Sequence, residues 1–200
     1  MLIRRVFVFF CCSIISTFAI GADPSVNSIA NAKPRPLFDF SSRDLLSEWR
    51  IVNDGVMGGR SSSKVRMGNS GEMLFSGNLS LENNGGFAST RSREKNLKLR
   101  TGDVIVMQLM GDGRRYTFNA YVPRRRMAFS FRTEFQTIKD EWTEVSIPID
   151  KLVATSFGRV VRGISLNPTE VNSIGILLGD KKPGPFQLAI RSIEVVRGTN

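Results

Sequence analysis

Apolar and polar residues alternate along most of this chain in short runs that are separated by turn residues. The clearest runs are residues 114–122 and 127–136, which predict a hairpin joined by residues 123–126. Residues 103–110 are apolar on both faces, as in a central strand. Short strands spaced by about 8 to 12 residues, with Gly, Asn and Pro between them, predict an all-β fold, an antiparallel two-sheet jelly-roll sandwich. The inward set of the hairpin is Tyr116, Phe118, Ala120, Val122, Met127, Phe129, Phe131, Thr133 and Phe135.

Shorter segments complete the predicted sandwich. We expect a short helix at residues 41–48 and mostly loop at residues 151–171, where the pattern has no clear period. Asn-Asn-Gly-Gly at residues 83–86 predicts a strong turn, and Gly77 with Asn78 is interpreted as another. Further strands are predicted at residues 49–52, 64–67, 73–76, 79–82, 87–93, 142–148, 173–178 and 186–196.

The loop that begins with Asn-Asp-Gly at residues 53–55 interrupts this regular pattern. Asn and Asp tolerate a positive φ angle, and Gly adopts one without steric cost. Val56 and Met57 then place two apolar side chains at the tip, before two further glycines. A plain hairpin needs only about two turn residues, so we predict a longer loop with an unusual backbone path. Asp54→Ala and Gly58→Val are expected to harm folding more than reversal of a surface charge does.

The amino-acid composition limits the kinds of functional site that the chain can contain. Lys and Arg number 28 against 18 Asp and Glu, a net charge of +10, and the isoelectric point is about 10.3. This balance favours anionic partners such as phospholipid head groups or acidic glycans, although a basic protein without such a partner fits it equally well. The chain contains no His, which excludes imidazole bases, Ser-His-Asp triads and histidine metal sites.

The first 22 residues have the layout of a secretory signal peptide, with two arginines, an apolar run and small residues near the end. This layout predicts an exported protein, periplasmic or extracellular. The alternative is a mitochondrial protein, because no acidic residue precedes Asp23. Both cysteines of the chain lie in this segment, so the mature protein is expected to have neither a disulfide nor a thiolate metal site. Residues 23–36 are interpreted as a linker and residues 37–197 as one globular domain.

The outward face of the best strands carries a mixed set of side chains. If these strands adjoin in one sheet, aromatic rings, an amide, an arginine and carboxylates line one surface, which is the mixture that a sugar site requires. The alternative is a solvated face with a cross-strand pair of Arg132 and Glu144. A glycoside hydrolase that uses Glu134 and Glu144 is a third, weaker interpretation. The set is Asn119, Tyr121, Arg132, Glu134, Trp142 and Glu144.

Two further groups of charged residues have both a functional and a structural interpretation. Asp54, Asp112 and Asp180 lie in Gly-flanked turns, where they would either bind calcium or only form the turns. Arg114, Arg115 and the arginines at residues 124–126 form a basic cluster. That cluster would bind phosphates, or it would be a solvated edge that discourages aggregation.

Four glycine-containing segments are distinctive when they are taken together. They read WRIVNDGVMGGRSSS (residues 49–63), FSGNLSLENNGGFASTRS (75–92), GDGRRYTF (111–118) and IGILLGDKKPGPFQLAI (174–190). In this order they resemble the complex I intermediate-associated protein domain family over about residues 37–196. The resemblance implies a galactose-binding-like jelly roll, related in shape to carbohydrate-binding modules. It also implies a non-enzymatic role in assembling NADH:ubiquinone oxidoreductase at the mitochondrial inner membrane, without catalytic residues.

The residues and the resemblance together predict a non-catalytic binding or assembly-factor domain. An exported module that binds a carbohydrate or an anionic ligand is the alternative. We expect a protein or a glycan as the partner, an anionic membrane surface as a further one, and no specific nucleic acid, cofactor or metal. The candidate ligand-binding residues are Asp54, Met57, Arg60, Asn84, Arg114, Tyr121, Arg132, Glu134 and Trp142.

Overall fold

Two antiparallel β-sheets face each other in the computed structural model, which describes residues 33–41, 43–123 and 129–197. This arrangement confirms the predicted all-β sandwich. The predicted signal peptide and most of the predicted linker lie outside the described residues, so both stay predictions. The helices among the described residues are short 3-10 turns, and none of them is long and apolar enough to cross a membrane.

The strands that form the two sheets lie between residues 35 and 197. They are β1 (Arg35–Asp39), β2 (Trp49–Ile51), β3 (Ser62–Met67), β4 (Met73–Leu79), β5 (Ala88–Ser92), β6 (Asp103–Met110), β7 (Arg115–Tyr121), β8 (Ser130–Gln136), β9 (Trp142–Pro148), β10 (Val153–Ser156), β11 (Arg159–Val160), β12 (Ser173–Leu178) and β13 (Gly184–Arg197).

The six-stranded sheet has the order β3-β4-β13-β6-β9, with β1 also paired to β13. The seven-stranded sheet has the order β11-β10-β8-β7-β12-β5-β2. Each pairing between these strands is antiparallel. Strands that are distant in sequence therefore become neighbours, and the loops that join them meet at the ends of the sandwich.

The predicted alternation decides which side chains fill the space between the sheets. Phe118 and Ala120 of β7 point inward and are fully buried, as are Ile174 and Ile176 of β12. Packed sheets lie about 10 Å apart, a gap that apolar side chains of this size fill. Full burial of one such large side chain stabilises the fold by about 1.5 to 3 kcal/mol. The polar residues of the same strands are left on the outer faces.

Several predicted elements are confirmed by the strand pairing. β7 pairs with β8 as the predicted hairpin, although residues 124–128 of its connection lie outside the described residues. β6 is hydrogen-bonded on both sides, to β13 and to β9, as a central strand should be. The short helix expected at residues 41–48 is present as a 3-10 turn over Arg43–Glu48.

Two local predictions are wrong. Gly77 and Asn78 do not form a turn but continue β4, where a Cβ atom on Gly77 would lie 2.0 Å from the carbonyl oxygen of Ser62. The glycine is thus required by the close approach of β3. Residues 79–82 do not form a strand of their own, because after Leu79 the chain enters a 3-10 turn at Glu82–Asn84. The segment at residues 151–171 is mostly loop, as predicted, and the short strands β10 and β11 form a hairpin within it.

Candidate functional site

The loop at residues 54–60, here called the binding loop, is held by the buried carboxylate of Asp54. This side chain accepts hydrogen bonds from the Ser61 backbone N–H (2.9 Å) and the Ser61 hydroxyl (2.6 Å). It also accepts from the backbone N–H groups of Gly86 (2.7 Å) and Phe87 (3.2 Å). Asp54 is 0% exposed. One side chain therefore ties the binding loop to the loop before β5, and we call this arrangement the Asp54 clamp.

Ser61 strengthens the same connection from its other side. Its hydroxyl accepts a hydrogen bond from the Ser80 N–H (3.0 Å) and lies 3.2 Å from the Ser80 carbonyl oxygen, while its one hydrogen is donated to Asp54 (2.6 Å). Asn53 adds a further link, since its side-chain oxygen accepts from the Ser63 hydroxyl (2.8 Å) and from the Ser89 N–H (3.2 Å). The polar residues that sequence reasoning treated as turn chemistry thus join two segments about 30 residues apart.

The backbone of the binding loop has the unusual path that the sequence predicts. Asp54–Met57 form one 3-10 turn, and Gly58 follows it with φ 90° in the left-handed region. The N–H groups of Gly58 and Gly59 then donate to the carbonyls of Gly55 (3.1 Å) and Asp54 (3.0 Å). A β-branched residue at position 58 would be strained in this conformation, in agreement with the expectation for Gly58→Val.

The glycines on either side of the carboxylate have a second role that sequence reasoning missed. A Cβ atom on Gly59 would lie 2.4 Å from Cγ of Asp54, and one on Gly85 would lie 2.6 Å from its Oδ2. Both contacts are shorter than any stable packing distance. The paired glycines of the two loops are therefore required by the close approach of the backbone to Asp54. The signal in the sequence was their repetition on both loops.

The electrostatics of Asp54 favour the charged form. Burial opposes ionisation of this carboxyl and is the largest single effect on its pKa. The hydrogen bonds from Ser61, Gly86 and Phe87 act together in the opposite direction, so its pKa lies below the usual value for Asp. The Asp54 clamp therefore works with an ionised carboxylate at neutral pH.

The clamp presents apolar side chains to solvent. Val56 is 76% exposed and Met57 is 56% exposed, and we call these two residues the apolar tip. Leu81, on the loop that the clamp joins to the binding loop, is 42% exposed. Arg60 and Glu82 form an exposed ion pair between the two loops (2.8 Å).

A shallow groove runs beside these loops. Its lining includes Leu81 and Glu82 together with Pro183 and Gly184, from the loop before β13. Asn84, another predicted ligand-binding residue, is exposed on the same turn and has φ 57°. The structure thus brings the candidates Asp54, Arg60 and Asn84 to one end of the sandwich, together with the apolar tip.

Arg114 belongs to a second clamp and not to a basic ligand site. Its guanidinium forms a bidentate pair with Asp180 through Nε (3.0 Å) and Nη2 (2.6 Å), and it also donates to the carbonyls of Pro185 (3.1 Å) and Lys182. The side chains of Arg114 and Asp180 are only 12% and 8% exposed. This Arg114–Asp180 clamp joins the loop before β7 to the loop before β13. The predicted phosphate contact of Arg114 is corrected accordingly.

Asp112 supports the second clamp from a neighbouring position. Its carboxylate accepts from the Tyr116 hydroxyl (3.1 Å), the Gln187 N–H (2.9 Å) and the Arg114 N–H (3.1 Å). Burial, followed by the charge of Asp112, raises the pKa of Tyr116 far above its usual value. The three turn aspartates considered for calcium thus have protein donors on their oxygens. Among the described residues no three acidic side chains converge on a possible metal position.

The predicted mixed face is divided between the two sheets. Asn119, Tyr121, Arg132 and Glu134 lie on β7 and β8 of the seven-stranded sheet, whereas Trp142 and Glu144 lie on β9 of the six-stranded sheet. Consecutive strands usually pair, and no pattern in the sequence indicates that β9 leaves β8 and joins the other sheet. The joint sugar site and the cross-strand pair of Arg132 and Glu144 are therefore wrong.

The individual members of that face have other neighbours. Glu134 lies 3.7 Å from Arg115 in an exposed ion pair. The Trp142 ring is covered on one side by the guanidinium of Arg191, 4.1 Å from its centroid. Because Glu134 and Glu144 lie on different sheets, the structure does not support them as the acid pair of a glycoside hydrolase.

The outer face of the seven-stranded sheet carries a row of arginines that sequence reasoning had found only in part. Cross-strand pairing aligns Arg50 with Arg91, Arg91 with Gly175, Gly175 with Asn119, and Asn119 with Arg132. Residues that pair directly project from the same face of a sheet. We call this surface the arginine face, and we define it by Arg50, Arg91, Asn119, Tyr121, Arg132 and Gly175.

Tyr121 lies at the middle of the arginine face. The Arg91 guanidinium stacks on its ring, 3.7 Å from the centroid, and Arg91 Nε donates to the Ser173 hydroxyl (3.0 Å). Burial raises the pKa of Tyr121, while the charges of Arg91, Arg50 and Arg132 act to lower it. All three guanidinium groups are therefore close enough to influence the phenol.

Comparisons with known proteins agree on a family and on a fold. A family model described as Complex I intermediate-associated protein 30 matches residues 38–190. The chain is 29% identical over 184 residues to the mitochondrial complex I intermediate-associated protein 30 of Mus musculus, and 27% identical over 177 residues to that of Drosophila melanogaster. These matches cover 80% and 77% of this chain but 56% and 60% of the relatives. The chain thus spans little more than half the length of the curated relatives that it matches.

Among solved structures, the chain is similar to a family 11 carbohydrate-binding module from Clostridium thermocellum, in complex with a β-1,3-1,4-mixed-linked tetrasaccharide. The TM-score is 0.59 at 16% identity, over 84% of this chain and 97% of that one. At this identity the likeness concerns the fold alone, and it agrees with the expected galactose-binding-like jelly roll.

Proposed function

Because the chain belongs to the complex I intermediate-associated protein 30 family, we propose that it is a non-catalytic assembly-factor domain. In this proposal it holds a protein subunit of NADH:ubiquinone oxidoreductase while that complex is assembled. The apolar tip of the binding loop is the contact surface. The observation that carries the proposal is the pairing of an ionised, fully buried Asp54 with two strongly exposed apolar side chains, in a segment that the family model covers.

The construction of the loop supports a binding role. Fixing a loop in one conformation before a partner arrives lowers the entropic cost of association. The Asp54 clamp does this with four hydrogen bonds, yet it leaves Val56 and Met57 without cover. Met side chains adapt to irregular apolar surfaces. The exposed Arg60–Glu82 pair provides a polar rim beside this small apolar centre.

The residue types in the chain support the non-catalytic part of the proposal. The chain has no His, and its cysteines are confined to residues 11 and 12. In the described parts of the chain, the carboxylates of Asp54, Asp112 and Asp180 are already bonded to protein groups.

For the compartment we propose a mitochondrial location, which the names of the relatives support. These names support the mitochondrial alternative over export. The exported interpretation rests on residues 1–22 alone, which lie outside the described residues. Fractionation of cells that express the full chain, with N-terminal sequencing of the processed form, distinguishes the two compartments.

A glycan is less well supported as the partner. The shared fold with a carbohydrate-binding module favours it, but sugar rings stack on open aromatic faces. One face of Tyr121 is covered by Arg91 and one face of Trp142 by Arg191. We therefore keep the protein partner as the proposed one.

Complementation tests the proposal. In cells that lack their own copy, the full-length wild type is expected to restore assembled NADH:ubiquinone oxidoreductase, measured as the intact complex on native gels. The variant Val56→Asp/Met57→Asp should fail to restore it while keeping the melting temperature of the wild type. The matched control is Phe157→Asp/Val160→Asp, which changes two other exposed apolar residues (82% and 64% exposed) on the β10–β11 hairpin.

The proposal has two contrary outcomes. If Val56→Asp/Met57→Asp restores the complex as fully as the wild type does, the apolar tip is not the contact surface. If both double variants fail equally at unchanged melting temperature, the loss of activity is not specific to the binding loop.

A further inference from the structure

We propose that the arginine face binds a ligand that carries a phosphate group. This site is separate from the apolar tip and goes beyond the proposed assembly role. Three observations support it: a pair of like charges that face each other across two strands, a phenol oxygen without a hydrogen-bond partner among the described residues, and a central glycine over which the ring of that phenol packs.

The like charges are those of Arg50 and Arg91, which pair directly across β2 and β5. Like charges that face each other across a sheet destabilise it. Arg132 adds a third positive charge, two strands beyond Gly175 in the same row. In the parts of the chain that the structure describes, Arg50 and Arg132 make no ion pair.

The acidic residues near this row do not balance it. Glu94 lies 4.0 Å from Arg91 but is 63% exposed, and it also accepts a hydrogen bond from Asn172 (3.0 Å). Glu134 is paired with Arg115. The arginine face therefore holds an excess of positive charge, and a bound dianion would remove the repulsion between Arg50 and Arg91.

The close packing at Gly175 fixes the position of Tyr121 at the centre of the arginine face. A Cβ atom at this position would lie 2.8 Å from the Thr90 carbonyl oxygen and 3.2 Å from the Tyr121 ring, so any larger residue would push the ring away from the sheet. Neighbouring strands lie about 4.8 Å apart, so the Cα atoms of Arg91 and Arg132, three strands apart, are separated by about 14 Å. Long side chains from both directions can approach a group held between them.

Tyr121 supplies a donor at this centre. No described residue forms a hydrogen bond with its hydroxyl, which would lie only 3.4 Å from a Cβ atom on Gly175. Because burial keeps its pKa above the usual value, the phenol is protonated at neutral pH and can donate to an anionic oxygen. Arg91 is already oriented by its hydrogen bond to Ser173 and by the stacked ring.

The chemistry favours phosphate over a neutral sugar. Guanidinium groups form bidentate, charge-assisted hydrogen bonds with phosphate oxygens. A neutral sugar needs an open aromatic plane, whereas Arg91 covers Tyr121. A phosphate ester also carries up to two charges, which suits a face with three arginines. The same group occurs in soluble phosphate esters and in phospholipid head groups, so the test must separate these sources.

The test measures binding by isothermal titration calorimetry and vesicle co-sedimentation at low salt. Pyrophosphate and glucose 6-phosphate probe soluble phosphates, with glucose as the uncharged comparison. Vesicles of phosphatidylcholine, with and without phosphatidylglycerol, probe head groups. Arg50→Gln/Arg132→Gln removes two charges from the arginine face. Lys64→Gln/Arg66→Gln removes two charges from β3 of the other sheet and is the matched control.

We expect the wild type to bind at least one phosphate probe. Arg50→Gln/Arg132→Gln should weaken that binding about tenfold or more, and the control should change it about twofold or less. Binding of pyrophosphate or glucose 6-phosphate without vesicle binding assigns a soluble ligand, and the reverse assigns a head group. Three results would overturn the proposal. They are glucose binding as tight as that of glucose 6-phosphate, an equal loss of phosphate binding in both double variants, and no binding of any phosphate probe.

Discussion

The Asp54 clamp and the Arg114–Asp180 clamp join loops at the same kind of position, but they do so with different chemistry. Asp54 is surrounded by N–H and O–H donors, and it forms no ion pair with any described residue. Asp180 is held by a bidentate guanidinium. Both carboxylates are nearly or fully buried and ionised. The fold therefore fixes the connections between its sheets by two kinds of interaction, a carboxylate with neutral donors and a carboxylate with a guanidinium.

What the two clamps hold is different. The Asp54 clamp lies beneath Val56 and Met57, which are exposed, whereas residues 179–185 beside the Arg114–Asp180 clamp include no exposed large apolar side chain. A clamp that only stabilises the sandwich has no need of an exposed apolar tip. The second clamp is therefore structural, whereas the first also presents the apolar tip to solvent. Variants of the two clamps should differ accordingly in stability.

Loss of the Arg114 guanidinium should have the largest effect on stability. Arg114→Met leaves Asp180 buried without its counter-charge and leaves two backbone carbonyls without a donor. Removal of one partner from a buried pair costs about 3 to 5 kcal/mol, which thermal or urea unfolding measures. The control Arg115→Met breaks only an exposed pair with Glu134 and should change stability by less than about 1 kcal/mol. Equal effects of the two variants would contradict the assignment of the second clamp.

Asp54→Ala should have the second largest effect on stability. It leaves the donors of Ser61, Gly86 and Phe87 without their acceptor, at an expected cost of about 2 to 4 kcal/mol in the free energy of unfolding. Asp150→Ala is the matched control, because Asp150 accepts a single exposed hydrogen bond, from Gly102 (3.0 Å). A loss below about 0.5 kcal/mol for Asp54→Ala would mean that the two loops hold together without the carboxylate.

Gly59→Ala should destabilise the binding loop by a smaller amount. The new Cβ would lie 2.4 Å from Cγ of Asp54, and overpacking of this kind costs about 1 to 3 kcal/mol. Gly55→Ala, in the same loop, meets nothing within 4 Å and is expected to be neutral or slightly stabilising. Chemical denaturation of both variants measures the contrast. Similar stabilities would show that the carboxylate moves aside easily.

Acid should weaken both clamps. The resulting loss of stability should be smallest near neutral pH. Burial opposes ionisation of Asp180, but its hydrogen bond and charge interaction with Arg114 lower its pKa, as donors lower that of Asp54. A lowered folded-state pKa stabilises the protein above the unfolded value of about 3.9, and this stability is lost as pH falls through the folded value. Urea unfolding across this range should show a weaker acid dependence for Asp54→Asn than for the wild type. An unchanged dependence would contradict the role of Asp54 as a charged clamp.

Much of the fold could be predicted from the sequence because each strand has one buried face. The alternation in residues 115–121 and 130–136 fixed both the strands and their inward side chains, since a shift by one residue would expose Phe118 and Phe131. What could not be predicted was the partner of β9. Alternation gives the face of a strand but not its neighbour, so the sequence could not show that Trp142 lies in the other sheet from Tyr121 and Arg132.

The candidate site was predicted in part for a similar reason. Turn chemistry at residues 53–59 indicated an unusual loop, and Gly58 has the expected positive φ. The partner loop at residues 80–87 was not connected to it, because no local pattern indicates that a carboxylate and a backbone amide about 30 residues away will meet. Arg91 was overlooked since its importance comes only from strand pairing, which places it beside Arg50 and over Tyr121.

Site-specific photo-cross-linking tests the central claim, that the Asp54 clamp presents a protein-binding surface, most directly. Benzoylphenylalanine is placed at position 57, or at position 157 as the matched exposed control, in the full-length chain expressed in cells that contain NADH:ubiquinone oxidoreductase. The account predicts that position 57 cross-links a subunit or assembly intermediate of that complex, while position 157 does not. Two results would contradict the central claim. One is a cross-link to such a subunit from position 157 alone, and the other is no cross-link from position 57 under conditions in which the protein supports assembly.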